Sequence, residues 1–152
     1  MQGYYFKLQP LLNKERIYED ECAGRLRAIY GEYREESNKL KKLLDDEIKS
    51  QEELKAKQQQ GVSLAVLRIY EDYFIKIVDD IDISKNNLIE IAKKYRDAQN
   101  ELSKIMKKRK ALEKLKEKGI EEYKNELFSA LSKEMDEIAM AKFNRNKRDG
   151  SA

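Results

Sequence analysis

The chain contains no histidine, no tryptophan, one cysteine (Cys22), one proline (Pro10) and six glycines that never cluster. Without imidazole there is neither a general base poised near neutral pH nor a His-ligated metal. A lone thiol can form neither an intrachain disulfide nor a thiolate cage, so Cys22 reads as a small interior residue of a reducing compartment. Glycines at 3, 24, 31, 61, 119 and 150 cannot build a phosphate-binding loop. These absences exclude most enzyme chemistry, and no cofactor and no metal site is expected. No run of 18 apolar residues exists to span a bilayer, and the first ten residues lack a basic segment followed by an apolar core. A cytoplasmic protein without direct membrane insertion is the expectation.

What is abundant is charge of both signs. Lysine and arginine number 32 against 29 acids, 40% of the chain, with another 40% apolar. That composition fits long helices with a narrow buried seam and excludes sheet folds, which need turn residues every dozen positions or so. The near balance of charge and the regular apolar spacing also exclude disorder.

The spacing predicts an all-α fold: a long two-helix antiparallel coiled-coil hairpin with its turn near Gly61. A single coiled-coil domain over 1–152 is expected, with helix over about 10–58, turn at 59–63, helix over about 64–146 and a polar tail at 147–152. Pro10 suits a first helical turn, where its missing N–H has no intrahelical partner. The first helix shows an apolar stripe of Leu11, Tyr18, Cys22, Leu26, Tyr30, Tyr33, Leu40, Leu44, Ile48 and Leu54. Gly61 can end that helix at positive φ, and Ser63 can cap the next. A strict heptad follows. Phe74, Ile81, Leu88, Tyr95 and Leu102 interleave with Tyr70, Ile77, Ser84, Ile91, Ala98, Ile105 and Leu112. The phase persists through the loop-like composition of Asp82 to Asn87, which places those residues in the helix.

Folding about Gly61 sets Leu54 near Leu67 and Leu11 near Leu112, a paired section of roughly 70 Å at 1.5 Å per residue. The second helix then overhangs the first. Arg109, Lys116 and Gly119 take seam positions there, yet Ile120, Tyr123, Leu127, Leu131, Met135 and Ile138 continue an apolar stripe. Three coverings stay open: a helix folded back at Gly119, the first nine residues, or another protein.

Residues 104–118 hold eight bases against two acids, a local excess larger than the whole-chain +3. Lys107, Lys108, Arg109 and Lys110 form its centre, suited to an acidic partner or simply to solvent. A mostly lysine patch on an antiparallel hairpin lacks the Arg and Asn pattern of zipper-type DNA readers, so nucleic acid is not expected as a partner. Beyond the turn, Tyr70, Tyr73, Phe74 and Ile77 gather with Leu67 and Ile69 in a stretch more apolar than a two-helix seam requires. Exposed aromatics there would anchor a partner.

Three segments together resemble the flagellar export protein FliJ family. They are Phe6-Lys-Leu-Gln-Pro-Leu-Leu12 followed by Glu15, Glu19 and Ala23; Gly61-Val-Ser with Tyr70-x-x-Tyr73-Phe74-x-x-Ile77; and Leu112-Glu-Lys-Leu-Lys-Glu117 with Glu134-Met-Asp-Glu-Ile-Ala139. The likeness covers nearly the whole chain. Pro10 would start the first helix later than in many relatives, and Met135 stands where leucine is commoner.

The resemblance implies a non-enzymatic component of the type III flagellar protein export apparatus, shaped like the central stalk of rotary ATPases. Such a stalk enters the hexameric export ATPase, promotes its assembly and activity, couples it to the export-gate membrane protein, and escorts substrate chaperones. It would associate peripherally with the inner membrane through that apparatus. By position, Tyr73, Phe74 and Ile77, with neighbouring Tyr70, would face the gate. Glu134, Met135, Asp136 and Glu137 would enter the ATPase, together with the adjoining basic patch and with Tyr123, Leu127 and Ile138. The rival from another class is a structural or adaptor coiled coil of a different assembly, homodimeric through its overhangs.

Overall fold

The computed structural model describes residues 3–150. Two helices follow one another, α1 (Gln9–Gln60) and α2 (Leu64–Asp149). They make the all-α antiparallel hairpin that the spacing predicts. Gly61, at φ 93°, is the only described residue with positive φ, and its N–H reaches the Gln58 carbonyl at 3.4 Å. That is a helix C-cap of the kind glycine provides without strain. Ser63 caps α2: its Oγ accepts the Val66 N–H at 3.4 Å and its carbonyl accepts Leu67 N–H at 3.2 Å. The segment 82–87 is helical throughout.

The chain divides into two compact units. One is Tyr18–Lys104, which contains the turn. The other joins the start of the chain as far as Ile17 to α2 from Ile105 onward.

In the turn-containing unit the α2 heptad is the buried face. Ile77, Ile81, Ser84 and Ala98 are buried, with Tyr70, Phe74, Leu88, Ile91 and Tyr95 half-buried between them. Cys22 is fully buried against this row and donates its S–H to the Ala98 carbonyl at 3.6 Å. Arg25 pairs with Glu101 at 3.2 Å, and the Asn87 amide donates to Glu36 at 3.3 Å. From Cys22 with Ala98 to Glu36 with Asn87 the α1 partner rises as the α2 partner falls, the mark of antiparallel register.

The α1 face differs from the expected stripe. Leu12 is fully buried while Leu11 is 44% exposed. Tyr18, Tyr30, Tyr33, Leu44 and Ile48 are likewise exposed, Tyr33 although it holds a seven-residue row position, and Glu15, Glu19, Ile29 and Leu43 turn inward. The true rows are themselves seven apart: Leu12, Glu19, Leu26, Tyr33, Leu40, Glu47 and Leu54, alternating with Glu15, Cys22, Ile29, Glu36, Leu43 and Ser50. Choosing apolar residues alone drifts off these rows wherever a glutamate holds a seam position. Glutamate tolerates that place because its methylene stem covers the seam while its carboxylate reaches the flank.

In the other unit α1 contributes its first two turns. Phe6, Leu12 and Leu112 form a buried cluster with Tyr4 packed on it. The expected pairing of Leu11 with Leu112 is therefore made by Leu12. The Leu8 carbonyl accepts Leu12 N–H at 2.9 Å, so Pro10 sits in the first helical turn where no donor is lost. At the far end α2 stays helical to Asp149, into the expected polar tail, and Gly150 N–H returns to Asn146 at 2.9 Å. Ser151 and Ala152 of the expected polar tail lie outside the described residues.

Among the described residues, Ser84 Oγ is buried without a hydrogen-bond partner at a seam position. Removing an unsatisfied buried hydroxyl and gaining the better helix former should outweigh the small volume lost. Ser84→Ala is expected to raise stability by about 1 kcal/mol in urea denaturation. Ser84→Leu should lower it by about 1–3 kcal/mol, because three extra carbons must fit a position that is only 1% exposed.

Candidate functional site

Two surfaces are built differently, one in each unit. In the turn-containing unit, Tyr70 and Phe74 occupy successive seam positions with ring centroids 6.2 Å apart. Tyr73 lies one step off the seam and sets its ring edge-on to Phe74, 5.9 Å away at 62°. Lys57, in the last turn of α1, places its ammonium 5.2 Å from the Tyr70 ring centre. Tyr70 holds that lysine above its ordinary pKa, chiefly through a hydrogen bond. The aromatic group is thus locked to both helices beside the turn.

Its members are not equally accessible. Ile77 is 3% exposed and belongs to the core. Tyr70 and Phe74 are half-buried, and Tyr73 is exposed. Ile69, Ile75 and Val78, which the seam pattern passes over, are also exposed. Ile69 joins Ser50, Tyr70 and Tyr73 around a shallow hollow. The signal for these three was available in the sequence: from 69 to 83, α2 is apolar beyond one stripe, and a surface helix has no need of that.

In the other unit the basic cluster is divided. Lys107, Lys108 and Lys110 are exposed, whereas Arg109 turns into its seam position. There it donates to Glu113 at 2.9 Å, and Arg16 of α1 approaches the same carboxylate at 3.5 Å. The two guanidiniums, Arg109 foremost, hold Glu113 below the ordinary glutamate pKa. An arginine is admitted to the seam because this carboxylate meets its charge. Glu113 thereby ties α2 to Arg16 of α1, and Arg109 holds that carboxylate from its own helix rather than widening the basic surface.

Beyond the start of α1, residues 4–8 lie back along α2. Tyr4 packs against Tyr123 with centroids 6.0 Å apart, and its ring fills the notch left by Gly119. A Cβ at 119 would overlap the Tyr4 hydroxyl and stand 2.8 Å from Cζ. Gly119 at a seam position is therefore a seat for an aromatic ring and not a helix break, so the helix folded back at Gly119 does not form. Of the three possible coverings, residues 4–8 of the N-terminal segment supply cover as far as Tyr123. Tyr123 and Leu127 are half-buried, while Glu134, Met135, Asp136, Glu137 and Ile138 are exposed. From 128 to 150 every described residue is exposed, Phe128 by 69% and Met135 by 70%. Phe128 completes the stripe with Leu131, Met135 and Ile138, a residue that the expected stripe leaves out. No helix of the described residues is long and apolar enough to cross a membrane.

Among known proteins, a family model described as "Flagellar FliJ protein" matches residues 4–148. No curated protein and no solved structure matches.

The Tyr4 seat and the Glu113 pair each make a prediction. Gly119→Ala gains about 1 kcal/mol of helix propensity but must displace Tyr4, so the Gln9 amide, which bonds the Phe6 carbonyl at 3.0 Å, should exchange faster. With Tyr4→Ala already present, Gly119→Ala should be purely stabilising, and additive effects would show that the ring does not use the notch. Because folding lowers the Glu113 pKa, its stabilisation is present above the ordinary value near 4.5 and is lost as pH falls through the depressed one. Glu113→Gln should flatten that part of the acid limb in thermal melts followed by circular dichroism.

Proposed function

The chain belongs to the flagellar FliJ protein family, and on that premise we propose that it serves the flagellar export apparatus as a non-enzymatic stalk. In this reading one surface engages the hexameric export ATPase and promotes its assembly and activity. The other engages the cytoplasmic part of the export-gate membrane protein, and the same protein escorts substrate chaperones. Association with the inner membrane then follows from its partners.

The observation that carries the reading is the terminal length of α2. A helix that keeps an apolar stripe while exposed on every side from 128 onward has its fold completed by something outside the hairpin. A ring lined by other chains is such a setting. Glu134, Met135, Asp136, Glu137 and Ile138 would contact the ATPase, with Leu127 and Tyr123 at the margin. Lys107, Lys108 and Lys110 would steer the approach to acidic surface, and Arg109 would act by fixing the helix that presents them.

For the gate, Tyr73 is the accessible anchor, with Tyr70 and Phe74 holding its ring in place and Ile77 supporting them from the core. A large ring whose rotamer is fixed before binding loses little entropy on docking. Ile69, Ile75 and Val78 extend the available apolar area. The two surfaces belong to different units of the chain, so one can be altered without altering the other.

The test is to add the chain to a cognate export ATPase and measure hydrolysis and ring assembly. Stimulation is expected. Leu131→Asp with Met135→Asp should weaken it at least about tenfold, since each removes an apolar anchor and introduces a charge. Tyr73→Ala with Ile69→Ala should leave stimulation intact and weaken binding to the gate's cytoplasmic domain by about tenfold or more. If both pairs of substitutions abolish both activities, the assignment of separate surfaces is wrong.

A further inference from the structure

We infer that the uncovered terminal part of α2 is also a self-recognition surface, pairing antiparallel with the same segment of a second copy of this chain. The inference goes beyond the export reading, because it concerns the chain when no ATPase occupies the stripe.

The first observation is the spacing of the stripe. Phe128, Leu131, Met135 and Ile138 recur at intervals of three, four and three, the a and d positions of a two-helix seam, and all four are exposed. The cover supplied by Tyr4 ends at Tyr123, just before this stripe begins. Phe128 stands five residues past Tyr123, about 140° round the helix at 100° per residue, so the free stripe is a face of its own that Tyr4 does not reach.

The second observation is charge order. Between 121 and 137 the segment carries six acids and two lysines; between 138 and 149 it carries four bases and one acid. A parallel pair would set acid against acid and base against base. An antiparallel pair sets the acidic half of each copy against the basic half of the other. Two-fold symmetry then makes the interface self-complementary, each contact occurring twice. No extra ligand and no change in the hairpin is needed.

The register follows from the knobs. Antiparallel seams place a opposite d, so Leu131 faces Met135 of the second copy and Phe128 faces Ile138. The same register sets Glu121 against Arg145. It also sets Lys124 against Lys142, a repulsive layer on each side of the apolar centre. With only four apolar positions from each chain and those lysine layers, the pairing is weak and reversible. A partner offering more apolar surface would displace it.

Sedimentation equilibrium of the full chain at low salt should show a monomer–dimer equilibrium that weakens as salt rises. Glu121→Lys should weaken the dimer several-fold, about fivefold or more, by setting two cations against each other in both symmetry-related layers. Adding Arg145→Glu should restore it. These positions lie on exposed helix surface, so circular dichroism should confirm an unchanged fold in each variant. In a Cys22→Ala background, Lys124→Cys and Lys142→Cys chains should form a mixed disulfide with each other and not with themselves. A monomer at every concentration up to about 1 mM would overturn the inference, as would a Lys124→Cys chain that cross-links to itself. ATPase stimulation by a chain that never dimerises would overturn it while leaving the export reading standing. A dimer that gives no stimulation would do the reverse.

Discussion

Everything in this chain depends on the seven-residue rows that α1 and α2 share. The rows contain few large apolar residues. Cys22, Ser84 and Ala98 are among the most buried positions, and glutamates stand at several seam sites of α1. Such a seam draws only part of its stability from apolar burial. The rest comes from the small side chains that let the helices approach, and from flank contacts such as Arg25 with Glu101 that fix the register. Where a full cation enters the seam, at Arg109, a carboxylate on the same helix accompanies it and a second arginine from α1 joins them. This is the condition on which a charge is tolerated away from water.

The two ends of the seam are built differently. At the turn, Gly61 and Ser63 close the hairpin with capped helices, and α2 spreads aromatic and aliphatic residues beyond the seam. At the chain's start, α1 stops but the seam positions of α2 continue, and residues 4–8 serve as a short non-helical substitute that reaches Tyr123. After that the stripe has no cover within the chain. The hairpin is thus closed by capped helices at the turn, while α2 is uncovered from Phe128 onward.

The hairpin, its turn and the α2 heptad were legible because they rest on local chemistry and a strict period. Gly61, Ser63 and the rows through Ile77 and Ala98 need no knowledge of the partner helix. The α1 face was misread for the opposite reason. Glu15, Glu19 and Glu36 reach the seam only because α2 is there to receive their stems, and exposed Leu11, Tyr30 and Ile48 outshine them on any scale of hydrophobicity. Whether the helix breaks at Gly119 stayed open in the sequence because the ring that fills its notch comes from residue 4, over a hundred residues away. Arg109 was grouped with its lysine neighbours because charge counting is blind to the side of the helix on which a group lies. Among the surface candidates, Tyr73, Ile69 and the 134–138 segment are exposed, Ile77 is interior, and Ile75, Val78 and Phe128 had been left out.

The strict phase of both rows also governs which changes in chain length the hairpin can absorb. A one-residue insertion within α2 would rotate everything beyond it by about 100° and carry the seam face toward water. Seven residues added to α2 would preserve the phase, but unless α1 gained seven at the matching level, Cys22 would no longer meet Ala98. Length in the paired region is therefore quantised and shared between two distant stretches of sequence. The uncovered end of α2 is under no such rule. A change of length there leaves the level of Cys22 and Ala98 untouched, so this part of α2 can vary in length without unsettling the paired rows.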